Sequence, residues 1–228
     1  MILSLETSTK VCSLALHDKG QLIASQDFHT DQSHSSVLPA AIESMLSLSK
    51  VTLSALAAIA VSAGPGSYTG LRIGVSAAKA LAYGLGKPLI AIPSLHVLAE
   101  IARITNLESA YIVPMLDARR MEVYTMMMDQ DGQEIQQMRP LILDETTFDD
   151  YSDRILWLVG DGASKCRNLY KGAGVVFRDD VYPEAKFMGR LAYEKFERKE
   201  FEDIGHFEPL YLKEFQTKKP RNQLAPQD

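Results

Sequence analysis

Ile2-Leu3-Ser4-Leu5-Glu6-Thr7-Ser8 reads as a buried strand ending at an acid, and the chain repeats the pattern at Ile112-Val113-Pro114-Met115-Leu116-Asp117-Ala118-Arg119. The first copy continues through Val11 to His17, turns at Asp18-Lys19-Gly20-Gln21 and resumes from Leu22 to Ser25. The second continues through Val123 to Met128, turns at Gln130-Asp131-Gly132-Gln133 and resumes from Glu134 to Met138. Each copy predicts three antiparallel strands, with Gly20 and Gly132 supplying the residue that tight hairpin turns favour. Further along, Ile59-Ala60-Val61-Ser62-Ala63 hands over to Gly64-Pro65-Gly66-Ser67 and a helix, while Leu156-Trp157-Leu158-Val159 hands over to Gly160-Asp161-Gly162-Ala163-Ser164 and another helix. Two such series in one order, about 110 residues apart, imply a duplicated α/β unit. The expected division is an N-terminal domain over residues 1–105 and a C-terminal domain over residues 106–228, with the boundary between Thr105 and Ser109.

Helices complete the pattern. Ser33 to Ser36 can cap a helix over Val37 to Leu48, in which Pro39 would fall within the first turn. A second is expected from Thr69 to Gly86, and a third from Pro93-Ser94 to about Arg103 after the buried strand Pro88 to Ile92. A last helix, from about Glu184 to Lys199 behind Pro183, can return to the first domain. The tail from about residue 216 carries Lys218, Lys219 and Arg221 among prolines and polar residues, and is expected to be disordered.

Bulk properties narrow the class. With 46% hydrophobic residues, 228 residues can bury a sizeable core, and no apolar run approaches the roughly 20 residues of a membrane span. A soluble cytoplasmic protein without a secretion signal is expected, because the two cysteines, Cys12 and Cys166, have neither a disulfide framework nor CxxC spacing around them. A net charge of −5 argues against extended contact with a phosphate backbone.

The densest glycine cluster is Gly64-Pro65-Gly66-Ser67-Tyr68-Thr69-Gly70-Leu71-Arg72-Ile73-Gly74. It matches neither the P-loop spacing, whose lysine it lacks, nor the dinucleotide GxGxxG, since Gly70 comes one residue late. Two readings stand: a tight turn allowing close helix packing, or anion binding at a helix start. On the helix that follows, Arg72, Ser76, Lys79 and Tyr83 form one narrow polar stripe, leaving an apolar circumference wider than one sheet needs. Gly70, Gly74, Ala78 and Ala82 at four-residue spacing would also admit a neighbouring helix. The expected subunit interface therefore comprises Leu71, Gly70, Gly74, Val75, Ala78 and Ala82, with Val37, Leu38, Ala41, Ile42 and Met45 from the preceding helix.

No metal site is expected: the five histidines include no i, i+4 pair, and both cysteines read as packing residues. Glu6 and Asp117, acids at strand ends, are the residual functional candidates. A weak nucleotide or anion site could draw on Glu6, Thr7, Gly64, Gly66, Asp117 and Arg119, although Arg119 can instead pair with Glu6 or Asp117.

Leu3 to Ser8, the run Ser33-His34-Ser35 before Leu38-Pro39, the glycine cluster and Asp117-Ala118-Arg119-Arg120 together resemble the bacterial TsaB (YeaZ) family, over most of residues 1 to 125. The resemblance implies a duplicated actin-like ATPase fold (ASKHA, ribonuclease H-like) of two domains. It implies a non-catalytic scaffold for a TsaD-type enzyme that attaches threonylcarbamoyl to the transfer RNA adenosine 3′ of the anticodon. Implied partners are the TsaD-type paralogue and a TsaE-type ATPase, with a homodimer through the same two helices in isolation, transfer RNA only via the complex, and no cofactor. Against the phosphate loops of active members, Glu6-Thr7-Ser8-Thr9 lacks the usual glycine and Asp117-Ala118-Arg119-Arg120 carries crowding side chains. Ser94 and Leu98 stand where the TsaD pattern has two metal-binding histidines. The alternative is a weak nucleotide-binding enzyme of the sugar-kinase or peptidase-like branch.

Overall fold

A computed structural model gives the fold, described over residues 1–29, 33–105, 110–170 and 174–213. The expected boundary segment after Thr105 and the expected disordered tail lie outside the described residues.

The first sheet contains β1 (Ile2–Glu6), β2 (Cys12–Asp18), β3 (Gln21–Phe28), β4 (Ala58–Gly64) and β5 (Leu89–Pro93), in the order β3-β2-β1-β4-β5. The hairpin pairings are antiparallel, and β1, β4 and β5 run parallel. The second repeats this with β6 (Tyr111–Asp117), β7 (Glu122–Met128), β8 (Glu134–Ile142), β9 (Leu156–Val159) and β10 (Val175–Arg178), in the order β10-β9-β6-β7-β8. Central strands β1, β4 and β9 are buried along their whole length, as expected of strands covered on both faces.

On one face of the first sheet lie α1 (His34–Leu48) and α2 (Tyr68–Leu85). Leu38, Ile42, Met45, Val75, Ala78 and Ala82 close that core with Leu3, Leu5, Leu14 and Ile59. Helix α1 begins three residues before the expected Val37, so Pro39 falls in the second turn, not the first. Gly86, at φ +61°, ends α2 in the left-handed conformation that glycine permits.

The other two helices are exchanged between the halves. Helix α3 (Ser94–Thr105) follows β5, yet Leu95, Leu98, Ala99 and Ala102 pack with Ile112, Leu116, Trp157 and Val159 of the second sheet. Helix α4 (Gly189–Glu197) follows the second sheet, yet Ala192, with Ala185 and Met188, packs on Ile2, Ala58, Ile90 and Ile92 of the first. Glu100 of α3 fastens the two, accepting from Arg190 of α4 at 2.7 and 2.9 Å and from Arg103 at 2.8 and 2.9 Å.

Two expectations need correction. The helix foreseen behind Gly160-Asp161-Gly162 is a 3₁₀ segment, Asp161–Cys166, with Ala163 N–H bonded to the Gly160 carbonyl at 3.0 Å. The chain must reach β10 by Val175, which leaves no room for a long crossover helix. The helix foreseen from Glu184 is divided into a 3₁₀ turn, Ala185–Phe187, and the shorter α4.

Candidate functional site

In both halves the segment after the first strand meets the glycine turn after the fourth. At the end of β1, Glu6, Thr7, Ser8 and Thr9 are all buried. The Glu6 Oε1 accepts the Ser8 N–H at 2.6 Å, the Thr7 N–H donates to Ser62 Oγ at 3.2 Å, and the Thr7 hydroxyl donates to the Gly70 carbonyl at 2.8 Å. The Ser67 N–H donates to the Ser8 carbonyl at 2.6 Å, and the Gly70 N–H to its own N-cap, Ser67 Oγ, at 3.2 Å. His34, at the start of α1, reaches the Thr9 carbonyl through Nε2 at 2.8 Å.

These contacts explain the glycine cluster. A Cβ on Gly66 would stand 2.3 Å from the Ser8 carbonyl oxygen, one on Gly70 2.1 Å from that of Thr7, and one on Gly74 2.1 Å from Thr7 Oγ1. Of the two readings, close packing is the one the geometry supports: the glycines let α2 lie directly on the loop. The loop is covered, and the amides of Thr7, Ser8, Ser67 and Gly70 are engaged within the chain. Burial also pushes the Glu6 carboxyl above its usual range, against bonds from Ser8, Ser62 and Thr7 that pull it down.

At the end of β6 the arrangement is open. Asp117 is exposed; its Oδ1 accepts from Lys165 Nζ at 2.8 Å and from the Arg119 N–H at 2.5 Å, while its own N–H donates to Asp161 Oδ1 at 3.0 Å. The ion pair expected of the Arg119 side chain is thus made by Lys165, which comes from the 3₁₀ segment behind β9. Burial raises the pKa of Asp161, and the Asp117 amide opposes it. Gly64, at φ +97°, faces the last described part of the chain: a Cβ there would be 2.9 Å from the Leu210 carbonyl oxygen.

That last part is a strap from Glu202 to Lys213. Its Glu202 N–H bonds the Leu89 carbonyl at 2.9 Å, and Lys79 of α2 donates to the carbonyls of Gly205 at 3.4 Å and Phe207 at 3.0 Å. The Leu210 N–H meets the Ala63 carbonyl at 2.7 Å, and Tyr211 lies against Tyr68 with ring centres 5.0 Å apart. Lys213 then crosses to the second half, donating to the Ala118 carbonyl at 3.3 Å and pairing with Glu122. The strap therefore bridges the mouth between the two glycine turns. Sequence reasoning missed it because most of its anchors are backbone carbonyls, and its side-chain contacts, Tyr211 with Tyr68 and Lys213 with Glu122, join residues far apart in the chain.

The expected interface residues are placed differently from the sequence reading. Gly70, Leu71, Gly74, Val75, Ala78, Ala82, Leu38, Ala41, Ile42 and Met45 are buried within the protomer, and Val37 is half-buried. The four-residue spacing serves the chain's own loop and sheet. The outward faces are instead Pro39, Ala40 and Leu48 on α1 and Arg72, Ala80 and Tyr83 on α2, with Ile73, Ala77 and Leu81 half-buried beside them. Leu48 is 77% and Tyr83 81% exposed.

Among the described residues no group of three or more His, Cys, Asp and Glu side chains could hold a metal ion. Ser94 and Leu98 are both buried. Burial, with the nearby Glu6, pushes the Cys12 thiol up to about 11, and burial pushes Cys166 up to about 12, so neither is an activated nucleophile. No helix among the described residues is long and apolar enough to cross a membrane.

A doubled unit with two antiparallel pairings beside three parallel strands, and its loops meeting at one mouth, defines the actin-like ATPase fold. The family model described as TsaD, tRNA N6-adenosine threonylcarbamoyltransferase, matches residues 21–152. The chain is 30% identical to the tRNA threonylcarbamoyladenosine biosynthesis protein TsaB of Escherichia coli strain K12, over 93% of this chain and 94% of that protein. It is 28% identical to TsaB of Haemophilus influenzae, over 93% of each. Among solved structures, YeaZ from Pseudomonas aeruginosa superposes with a TM-score of 0.81 at 26% identity, covering 92% of this chain and 99% of that one. The chain belongs to the TsaB family of tRNA threonylcarbamoyladenosine biosynthesis proteins.

Proposed function

We propose that this chain is the non-catalytic partner of a TsaD-type threonylcarbamoyltransferase, holding that enzyme in its working form while the enzyme performs the chemistry on transfer RNA in the cytoplasm. The observation that carries this reading is the covered Glu6–Thr9 loop: the position where an actin-like ATPase manages phosphates is here a packing joint. Docking uses the outward faces of α1 and α2. Leu48, Tyr83, Ala40 and Ala80, with the half-buried Ile73, Ala77 and Leu81, offer apolar surface that the protomer leaves partly uncovered. In isolation the same faces pair two copies of the chain. A TsaE-type ATPase joins the assembly, and transfer RNA is met only there.

The test is a double variant, Ala80→Arg with Tyr83→Glu, mixed with the TsaD-type enzyme and followed by light scattering and transfer RNA modification. Loss of the complex and of modification, with an unchanged thermal midpoint for the chain alone, is expected. A complex of unchanged size would overturn the docking face. Calorimetric binding of magnesium ATP by the chain alone would overturn the non-catalytic reading and favour a nucleotide-using enzyme.

A further inference from the structure

The hairpin between β6 and β7 carries chemistry that a packing joint does not need. Arg119 stands at φ +67° and Arg120 at φ +49°, two successive residues in backbone conformations that glycine and asparagine tolerate far better. Both are exposed. The neighbouring acids are already engaged: Asp117 by Lys165 at 2.8 Å, Glu122 by Lys213. Among the described residues neither guanidinium makes an ion pair with a carboxylate. The tip is also braced. Ala118 N–H bonds the Glu122 carbonyl at 3.1 Å, Glu122 N–H bonds the Arg119 carbonyl at 3.2 Å, and Lys213 holds the Ala118 carbonyl at 3.3 Å. On a chain of net charge −5, two planar cationic forks are thus presented on a braced turn, at a conformational cost.

We propose that the Arg119–Arg120 hairpin is a phosphodiester contact, taking the backbone of the RNA inside the assembled complex. The inference rests on the proposed function for its RNA and extends it by giving this chain a direct hand on the substrate. A free nucleotide is disfavoured because the tip is exposed and the Glu6–Thr9 loop is covered. A protein partner is disfavoured because a standard interface takes about 800 Å² from each side around an apolar centre, and the tip offers only Met121 as an exposed apolar side chain. Two contacts alone are too few to hold RNA on an acidic chain, so the effect is read in the complex.

The experiment measures transfer RNA affinity of the reconstituted complex by fluorescence anisotropy across a potassium chloride series. The double variant Arg119→Asn with Arg120→Gly removes both charges while placing residues suited to the backbone. Its complex is expected to assemble normally and the chain to melt at a higher temperature. Its log–log salt slope should be shallower by about 1.4 to 1.8, the release of counterions from two phosphates. Arg119→Lys with Arg120→Lys should keep the original slope. An unchanged slope in a complex that assembles would overturn the inference and leave the proposed function standing. Loss of assembly by the Asn-Gly variant, with its fold intact by circular dichroism, would overturn it in favour of a protein contact. Failure of the unaltered chain to assemble would remove the proposed function, and this inference with it.

Discussion

The two halves share one strand order and differ in what covers it. Over the first sheet lie α1, of 15 residues, and α2, of 18. At the matching places the second half has, among the described residues, only the 3₁₀ turns Asp149–Tyr151 and Asp161–Cys166, and large side chains such as Phe148, Tyr151, Leu169 and Tyr170 close its core. The contrast teaches that this sheet can be closed without long helices. Keeping two of them on one half gives that half an outward surface the other lacks. What both halves keep is the joint: Gly160 lies as close to Met115, 2.2 Å from Cβ to carbonyl oxygen, as Gly70 does to Thr7.

The strongest way to break the comparison is to crowd that joint on each side. Gly70→Val should cost at least about 3 kcal/mol, because the Thr7 backbone must move; Gly160→Val, with its φ of +114° besides, should cost as much. Urea unfolding of both variants checks this, and a tolerated Gly160→Val would show that the second half does not share the joint.

Next comes the clamp between the exchanged helices. Burial works to raise the Glu100 carboxyl, but bonds from Arg103 and Arg190 overcome it and hold the pKa at about 2. The folded value is depressed, so the stabilisation is present above the ordinary glutamate pKa and is lost as pH falls from about 4.5 toward 2. Because both arginines are half exposed, the net worth is about 1 to 3 kcal/mol. Glu100→Gln should lower stability by that amount at pH 7 and flatten its acid limb in melts taken between pH 7 and pH 3.

The strand-end acids sharpen the contrast at smaller scale. Glu6 has a raised folded pKa, so its contribution is full below the ordinary glutamate value and fades as pH rises through the folded one. Glu6→Gln should therefore gain on the parent chain as pH rises above the ordinary glutamate value. Asp117→Ala should change stability by less than about 1 kcal/mol, since its own carboxylate is about half exposed. Parallel melts of the two variants across pH test the pairing, and a pH-independent gap for Glu6→Gln would contradict the covered loop.

Smallest is Gly84→Ala, where nothing lies within 4 Å of an added Cβ. It should stabilise α2 by about 0.5 kcal/mol, and a loss on denaturant titration would mean that this end of the helix is already covered.

The duplicated strands were legible because alternation and glycine turns recur in one order, and α2 was legible from its long apolar run behind the glycine cluster, while its Ser67 and Gly86 caps come from the fold. Which face of α2 turns inward was not. A helix apolar on most of its circumference gives no direction, and the choice falls to the Thr7–Ser8 loop, which needs the glycines. Strand β10 escaped notice because three half-buried residues and the exposed Arg178 on a sheet edge carry too little pattern. The partner of Asp117 depended on how near Lys165 is brought by a segment 48 positions away. Glu6 and Asp117 stood out as strand-end acids, but only the fold separates a covered carboxyl from an exposed one.

The exchange of α3 and α4 has a consequence for how the chain is made. Until α4 emerges from the ribosome, Ile2, Ala58, Ile90 and Ile92 on one side of the first sheet have no cover from Ala185, Met188 and Ala192. At ordinary translation speeds the interval between completing α3 and completing α4 is roughly 5 to 18 s. During it the nascent first half presents a greasy sheet to solvent, the kind of surface that invites aggregation until it is covered.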